Sequence, residues 1–284
     1  MKISISSYSF KQYLDDGSMT QLDCIAKAKE MGFDAIEFVD ILPPADVTKA
    51  EYAKKLKSEC DKLSLPISCL TFGADFLNGS NRNIEEEKSK IKAMIDYAEI
   101  LGANLIRHDA TIGDGRPFSK VVNILADACR EITQYAKAKG IKTTVENHGF
   151  FCQDSERMEL LFNAVDHPNF GILADMGNFL CADEAPEKAF SRISPYVVYL
   201  HAKDFHVKSA MLPNPGEGFF TSRNGNYLRG AIIGHGDVPV LHCLKAVKKA
   251  GYNGYVAIEF EGMEDAAKGI SISLANLKNY ISML

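Results

Sequence analysis

The chain has 284 residues, 46% of them hydrophobic and 24% charged, with a net charge of −5 from 32 Lys and Arg against 37 Asp and Glu. That is a globular composition with enough apolar residues for a large core. Its acidic balance argues against a protein that grips nucleic acid by the phosphates. No run of about 20 apolar residues is present to span a bilayer, and the opening MKISISSYSF has no apolar signal-peptide core. The seven cysteines, at 24, 60, 69, 129, 152, 181 and 243, form no C-x-x-C pair. They read as small apolar residues in a reducing compartment, so the expected setting is cytoplasmic, with no nucleic-acid or membrane partner.

One phrase recurs along the chain: a helix ending in Gly, a short turn, and an apolar strand that ends in polar groups. Ile3–Phe10 reads as the first strand, and a helical stripe over Met19–Met31 leads through Gly32 into the strand of MGFDAIEFVD. Ile67–Phe72 follows. A helix over Ile84–Leu101 then runs through Gly102 into LGANLIRHDA, and one over Phe118–Lys139 runs through Gly140 into KGIKTTVENH. Strands at Phe170–Ala174 and Val197–Leu200 precede the last phrase, AGYNGYVAIEFEG. Apolar residues three and four apart mark the helices, and glycine suits the left-handed residue that closes them. The strands number eight, at about 2–9, 35–39, 67–72, 105–109, 142–147, 170–175, 197–202 and 255–260. Strands alternating with helices imply a parallel sheet. Eight such units in about 250 residues or slightly more make an α/β fold of the (β/α)8 TIM-barrel type. The alternative, a doubly wound sheet, lacks a G-x-G-x-x-G after the first strand. No linker is evident, so residues 1–284 are expected to form one domain, with an irregular insertion over about 206–236 holding NPGEGFF and SRNGN. A loop of that length is usually a lid or binding loop.

Barrel enzymes take their chemistry from the C-terminal ends of the strands. There Glu146 closes KTTVE, Asp175 closes FGILAD, His201 closes VVYLH and Glu259 closes YVAIE. Carboxylates gathered at one mouth need a neutralising cation. Three carboxylates and one imidazole suit one divalent ion, Mn²⁺ above all, with Zn²⁺, Co²⁺ or Mg²⁺ compatible. Each residue alone also has a plain reading, as a solvated rim carboxylate or a core histidine. Glu261 shares the face of Glu259 by period two, which leaves either free to point inward.

At these residues the chain resembles a known family. VENHG, LADMGN, YLHAKDF, GHGDV and AIEFEG, in that order, look like the sugar-phosphate isomerase/epimerase group of xylose isomerase-like TIM barrels. The resemblance implies that Glu146, Asp175, His201 and Glu259 bind one metal ion and that Glu146 and Glu259 form the acid/base pair. It implies proton transfer beside a carbonyl through a metal-stabilised enediolate, giving isomerisation or epimerisation of a sugar, sugar phosphate or polyol-derived ketone. The same enolisation serves a lyase: a keto-inositol or keto-sugar dehydratase, or cleavage of an oxidised glycoside. A non-catalytic sugar-binding barrel is the third reading. Family analogy also implies a dimer or tetramer. Two departures stand out: Cys152 and Gln153 where ketose epimerases carry a further Glu, and Asn178 where they carry a His. The extra histidines of the related three-metal endonucleases are missing.

Five further residues are candidates for substrate contact. His148 lies two past Glu146 and Lys203 two past His201, so strand alternation puts each on its partner's face. Of Arg107 and His108 only one can face inward, and His108 is the expected one. Glu37 ends strand two, to meet sugar hydroxyls or to pair with a lysine. Asn178 completes the set.

Overall fold

The structure is a computed structural model describing residues 1–284. Eight parallel strands close a barrel in the order β1-β11-β7-β6-β5-β4-β3-β2. They are β1 (Lys2–Ser6), β2 (Ala35–Val39), β3 (Ile67–Phe72), β4 (Leu105–His108), β5 (Lys142–Glu146), β6 (Phe170–Asp175), β7 (Val197–Ala202) and β11 (Tyr255–Ile258). This is the (β/α)8 arrangement that the alternating pattern predicts, with strand limits within a few residues of those expected.

Local sequence explains why the units punctuate where they do. Thr20 accepts a hydrogen bond from the Asp23 amide while the Asp23 carboxylate accepts one from the Thr20 amide, which starts the helix Gln21–Met31. Gly32 ends that helix at φ 81°, a left-handed conformation that Gly adopts without a Cβ clash. Thr48 and Glu51 repeat the box ahead of Lys49–Lys62. The helix Phe118–Lys137 buries one stripe, including Val121, Leu125, Cys129 and Ile132, against the barrel.

Three apolar clusters hold the fold, the smallest of them Cys181, Phe205 and Leu228. The largest lies between strands and helices. The second fills the barrel interior with Cys69, Leu105, Leu173, Tyr199 and Ala257. On the floor, the Tyr199 hydroxyl lies 2.7 Å from Ser68 Oγ, and Ser68 Oγ lies 2.7 Å from Ser4 Oγ. These buried hydroxyls thus satisfy one another.

The stretch over 206–236, expected to be irregular, carries regular structure. β8 (Asp204–Lys208), β9 (Phe220–Thr221) and β10 (Tyr227–Ala231) form an antiparallel sheet in the order β8-β10-β9. The buried Asp204 carboxylate organises its return to the barrel. It accepts hydrogen bonds from the amides of Phe205, Gly234, Gly236 and Val238 at 2.8–3.0 Å. Polar, glycine-rich sequence hid the sheet because its short strands lack the apolar run of a barrel strand. No helix is long and apolar enough to cross a membrane.

Candidate metal centre and active site

Strand alternation sends every second side chain into the barrel. On β7 these are Tyr199 and His201, with Lys203 just beyond; on β4 they are Leu105 and Arg107; on β6 they are Leu173 and Asp175. Glu146 at the end of β5 and Glu259 just past β11 complete the mouth. One ligand atom from each of Glu146, Asp175, His201 and Glu259 lies within 4.8 Å of the other three. His201 Nδ1 is central: it sits 3.2 Å from Glu146 Oε1, 3.7 Å from Glu259 Oε2 and 3.8 Å from Asp175 Oδ2.

Asp175 shows the strongest sign of a ligand. Its Oδ1 accepts from the amides of Gly177 and Asn178, both at 2.8 Å, which aims the group. Its Oδ2 is buried and accepts no hydrogen bond. Burial pushes the Asp175 carboxyl up to about 7, since Glu146 and Glu259 add to that effect and Lys203 only partly offsets it. A buried acceptor beside two further carboxylates is a costly arrangement unless a cation meets it. The donor set therefore fits a divalent ion, with oxygen and imidazole ligands.

The surrounding charges divide the carboxylates into two sets. Burial opposes ionisation of Glu146, but Arg107 and His201 outweigh it and hold the carboxyl well below its usual range. Arg107 pairs with Glu146 Oε2 and, at 2.9 Å, with Asp109 Oδ1. Asn178 Nδ2 donates to Glu146 Oε1 at 3.2 Å. On the far side Lys203 Nζ lies 2.5 Å from Glu259 Oε2, 3.1 Å from Glu261 Oε1 and 3.5 Å from Asp175 Oδ2. Burial again opposes the charge on Glu259, and Lys203 and His201 overcome it. His201 itself, penalised by burial, is held well above the usual imidazole range by Glu37, Glu259 and Glu146. Carboxylates at this spacing favour a positive charge among them, which a proton on His201 or a divalent ion can supply.

The expected substrate contacts fall differently. Lys203 and Asn178 reach the centre. His148 stands at the rim, half-exposed, with Nδ1 3.0 Å from Asp109 Oδ1, so Asp109 and Arg107 link it to Glu146. Burial lowers the His148 basicity, but the hydrogen bond and charge of Asp109 win and raise it. Glu37 is fully buried and meets neither solvent nor lysine; its Oε2 lies 2.9 Å from His201 Nε2. His108 is a correction. It faces away from the barrel interior, packed against Phe72 and Phe76, with Nδ1 2.8 Å from the Asp109 carbonyl. Arg107 takes the inward place because Leu105, two residues earlier, lies in the interior cluster. Glu259 and Glu261 both reach Lys203, so the choice between them dissolves; of the two, only Glu259 joins the ligand cluster.

Sequence reasoning missed Asp109 and Tyr8. The Tyr8 hydroxyl is pushed up to about 12 by burial and by Glu261. Together with Gln12 and Glu261 it lines a cleft of about 270 Å³ beside the mouth. The i, i+2 relation of Arg107 to Asp109 was the available signal for the first; Tyr8 had none beyond its place after β1.

With the fold and cluster established, comparison with known proteins gives the class. Residues 25–280 match the model of the xylose isomerase-like TIM barrel family, and the chain belongs to that family. It is similar to an inosose dehydratase of Lacticaseibacillus casei, 23% identical over 231 residues, covering 76% of this chain and 75% of the relative. Among solved structures it is similar to an IOLI protein with a binding zinc atom, at a TM-score of 0.79 and 17% identity, covering 100% and 99% of the two chains. An L-ribulose 3-epimerase superposes at a TM-score of 0.74 with 15% identity, covering 99% and 95%.

Proposed function

We propose that this protein is a divalent-metal-dependent isomerase or epimerase acting on a sugar, sugar phosphate or polyol-derived ketone. The observation that carries the reading is the cluster of Glu146, Asp175, His201 and Glu259 with ligand atoms within 4.8 Å, among which the buried Asp175 Oδ2 accepts no hydrogen bond. Family membership and the likeness to an L-ribulose 3-epimerase support it.

When bound, the ion supplies the positive charge that polarises a carbonyl and makes the neighbouring C–H acidic. The chain's own residues do the rest. Glu146 and Glu259 come from strands separated by β6 and β7 in the barrel, so the two carboxylates enter the mouth from different sectors. One accepts the proton from carbon and the other returns one. Return to the same carbon from the opposite face inverts it; return to the neighbouring carbon exchanges aldehyde and ketone. Arg107 and Asn178 aim Glu146, and Lys203 aims Glu259. Positioned acid–base groups contribute roughly 10²–10⁴-fold. Mn²⁺ is the ion the carboxylate-rich donor set favours, with Zn²⁺, Co²⁺ and Mg²⁺ also compatible. Seven free, buried cysteines suit a reducing cytoplasmic setting, and the proposed partner is a small carbohydrate.

The inosose dehydratase relative favours a second reading: the same proton abstraction followed by loss of a β-hydroxyl as water. Incubation with keto-sugars and keto-inositols in D₂O separates the two. Deuterium at carbon without loss of water supports isomerisation or epimerisation, an unsaturated product supports dehydration, and binding without any exchange points to a non-catalytic sugar-binding barrel. Metal content of the purified protein tests the centre directly: about one ion in wild type and loss in Glu146→Gln are expected, and equal content in both removes Glu146 from the centre.

A further inference from the structure

Glu37 has no place in the acid–base scheme, yet it is the least expected residue in the barrel. It is fully buried, and it sits not at the end of β2, as expected, but in the middle of that strand (Ala35–Val39). Its neighbours in sequence, Ile36 and Phe38, pack in the main apolar core, so Glu37 alone of the three points into the interior. One of its oxygens, Oε1, has no hydrogen-bond partner. Leu would fill such a position at lower cost, because a buried carboxylate with a free oxygen carries an unrecovered desolvation penalty. Its other oxygen explains its presence. Oε2 lies 2.9 Å from His201 Nε2, a contact between residues 164 apart in sequence that crosses the barrel interior from β2 to β7.

That contact determines the chemistry of the imidazole. A carboxylate accepts hydrogen bonds and donates none, so Nε2 must carry the proton. In the neutral ring Nδ1 is then bare, with its lone pair facing Glu146 Oε1, Glu259 Oε2 and Asp175 Oδ2 at 3.2, 3.7 and 3.8 Å. A lone pair aimed at three carboxylates is repulsive unless a proton or a metal ion lies between them, and it is the ion that this bare nitrogen is placed to meet. Two residues earlier on β7, Tyr199 meets the ring edge-on, with centroids 5.9 Å apart.

We propose that Glu37 is the positioning residue of the metal centre: it fixes His201 as the Nε2–H tautomer and presents Nδ1 as the ligating atom. The inference rests on the metal-centre reading above and adds to it the atom used and the residue that selects it. Gln at this position keeps the shape but can accept or donate, so it no longer enforces one tautomer.

The test uses full-length protein stripped with a chelator and titrated with Zn²⁺ against a chromophoric competitor. Wild type is expected to bind one equivalent, and Glu37→Gln to bind about 10–100-fold more weakly, the usual loss when a histidine's outer partner is altered. Thermal melting without metal shows whether the variant stays folded. A second readout needs no variant. In zinc-loaded protein labelled with ¹⁵N-histidine, His201, assigned by its loss in His201→Asn, is expected to show a bare-type, metal-bound Nδ1 and a protonated Nε2. Its Nε2–H proton should lie downfield and move upfield in Glu37→Gln. Equal zinc affinity in folded Glu37→Gln, or zinc on Nε2, overturns the inference while leaving a metal centre in place. Failure of wild type to bind any ion overturns the metal reading itself, and this inference with it.

Discussion

Lys203 Nζ and Glu259 Oε2 lie 2.5 Å apart inside the barrel mouth, and the same ammonium also reaches Glu261 and Asp175. Burial works against the lysine's charge, and these three carboxylates hold it well above its usual range. Removing the cation leaves a group of buried negative charges. Lys203→Met is expected to lower the unfolding free energy by about 3 kcal/mol, the scale for breaking a buried ion pair. Urea denaturation with and without Mn²⁺ checks this: the deficit should shrink when the ion supplies the missing charge. A deficit unchanged by metal would place Lys203 outside the centre's electrostatics.

Arg107 and His108 should separate cleanly. Arg107→Met strands Glu146 and Asp109 and is expected to cost about 3 kcal/mol. His108→Phe keeps a flat ring between Phe72 and Phe76, removes the partnerless Nε2 and gives up the Nδ1 hydrogen bond to the Asp109 carbonyl. It is expected to cost no more than about 1.5 kcal/mol, the net scale of one hydrogen bond, and to leave metal content untouched. Denaturation curves and metal analysis of both variants decide whether Arg107 is the inward residue in solution.

Gly230 joins the β8-β10-β9 sheet to the catalytic rim. It pairs with Gly262, and a Cβ built on it would collide with the Glu261 carbonyl. Gly230→Ala must therefore displace the segment carrying Glu259 and Glu261. A stability loss of about 1–3 kcal/mol is expected, typical of overpacking. A fall in kcat beyond that loss, measured on folded protein, is the expected sign that the sheet sets the rim. Unchanged kcat would show the rim to be independent of it.

Acid should loosen the loops after β3 and β4. Burial opposes ionisation of Asp75, but hydrogen bonds from Thr111, Asn78 and the Leu77 amide prevail and lower its pKa. A carboxyl with a lower pKa folded than unfolded stabilises above its unfolded value, about 3.9. That contribution disappears as pH falls through the folded value. Asp75→Asn is thus expected to be less stable than wild type at pH 7, with the gap closing in strong acid. Melting temperatures across that range give the check; a gap independent of pH would mean that Asp75 acts by shape alone.

Much of this was legible before any coordinates. Helices closed by Gly and strands closed by polar residues are local facts, set by backbone sterics and side-chain alternation over a few residues. They sufficed to place eight strands and to mark Glu146, Asp175, His201 and Glu259 as strand ends. In a parallel barrel every strand must finish at the same mouth, so topology alone brings such residues near one another. The sheet within 206–236 was not legible, since its strands are short, set among glycines and polar residues, and bury only a few apolar side chains such as Phe205 and Leu228.

Face and partner were decided only by the tertiary structure. In LIRH every side chain is buried, some against the interior and some against the helices, so alternation offers no apolar-polar contrast to show which way Arg107 and His108 turn. Closure of the barrel settles it by drawing Leu105 into the interior. Glu37 likewise reads from sequence as one more polar strand end. Its meeting with His201 exists only because the ring closes through β1 and β11 and brings β2 and β7 to one interior, a distance in sequence that no local pattern can span.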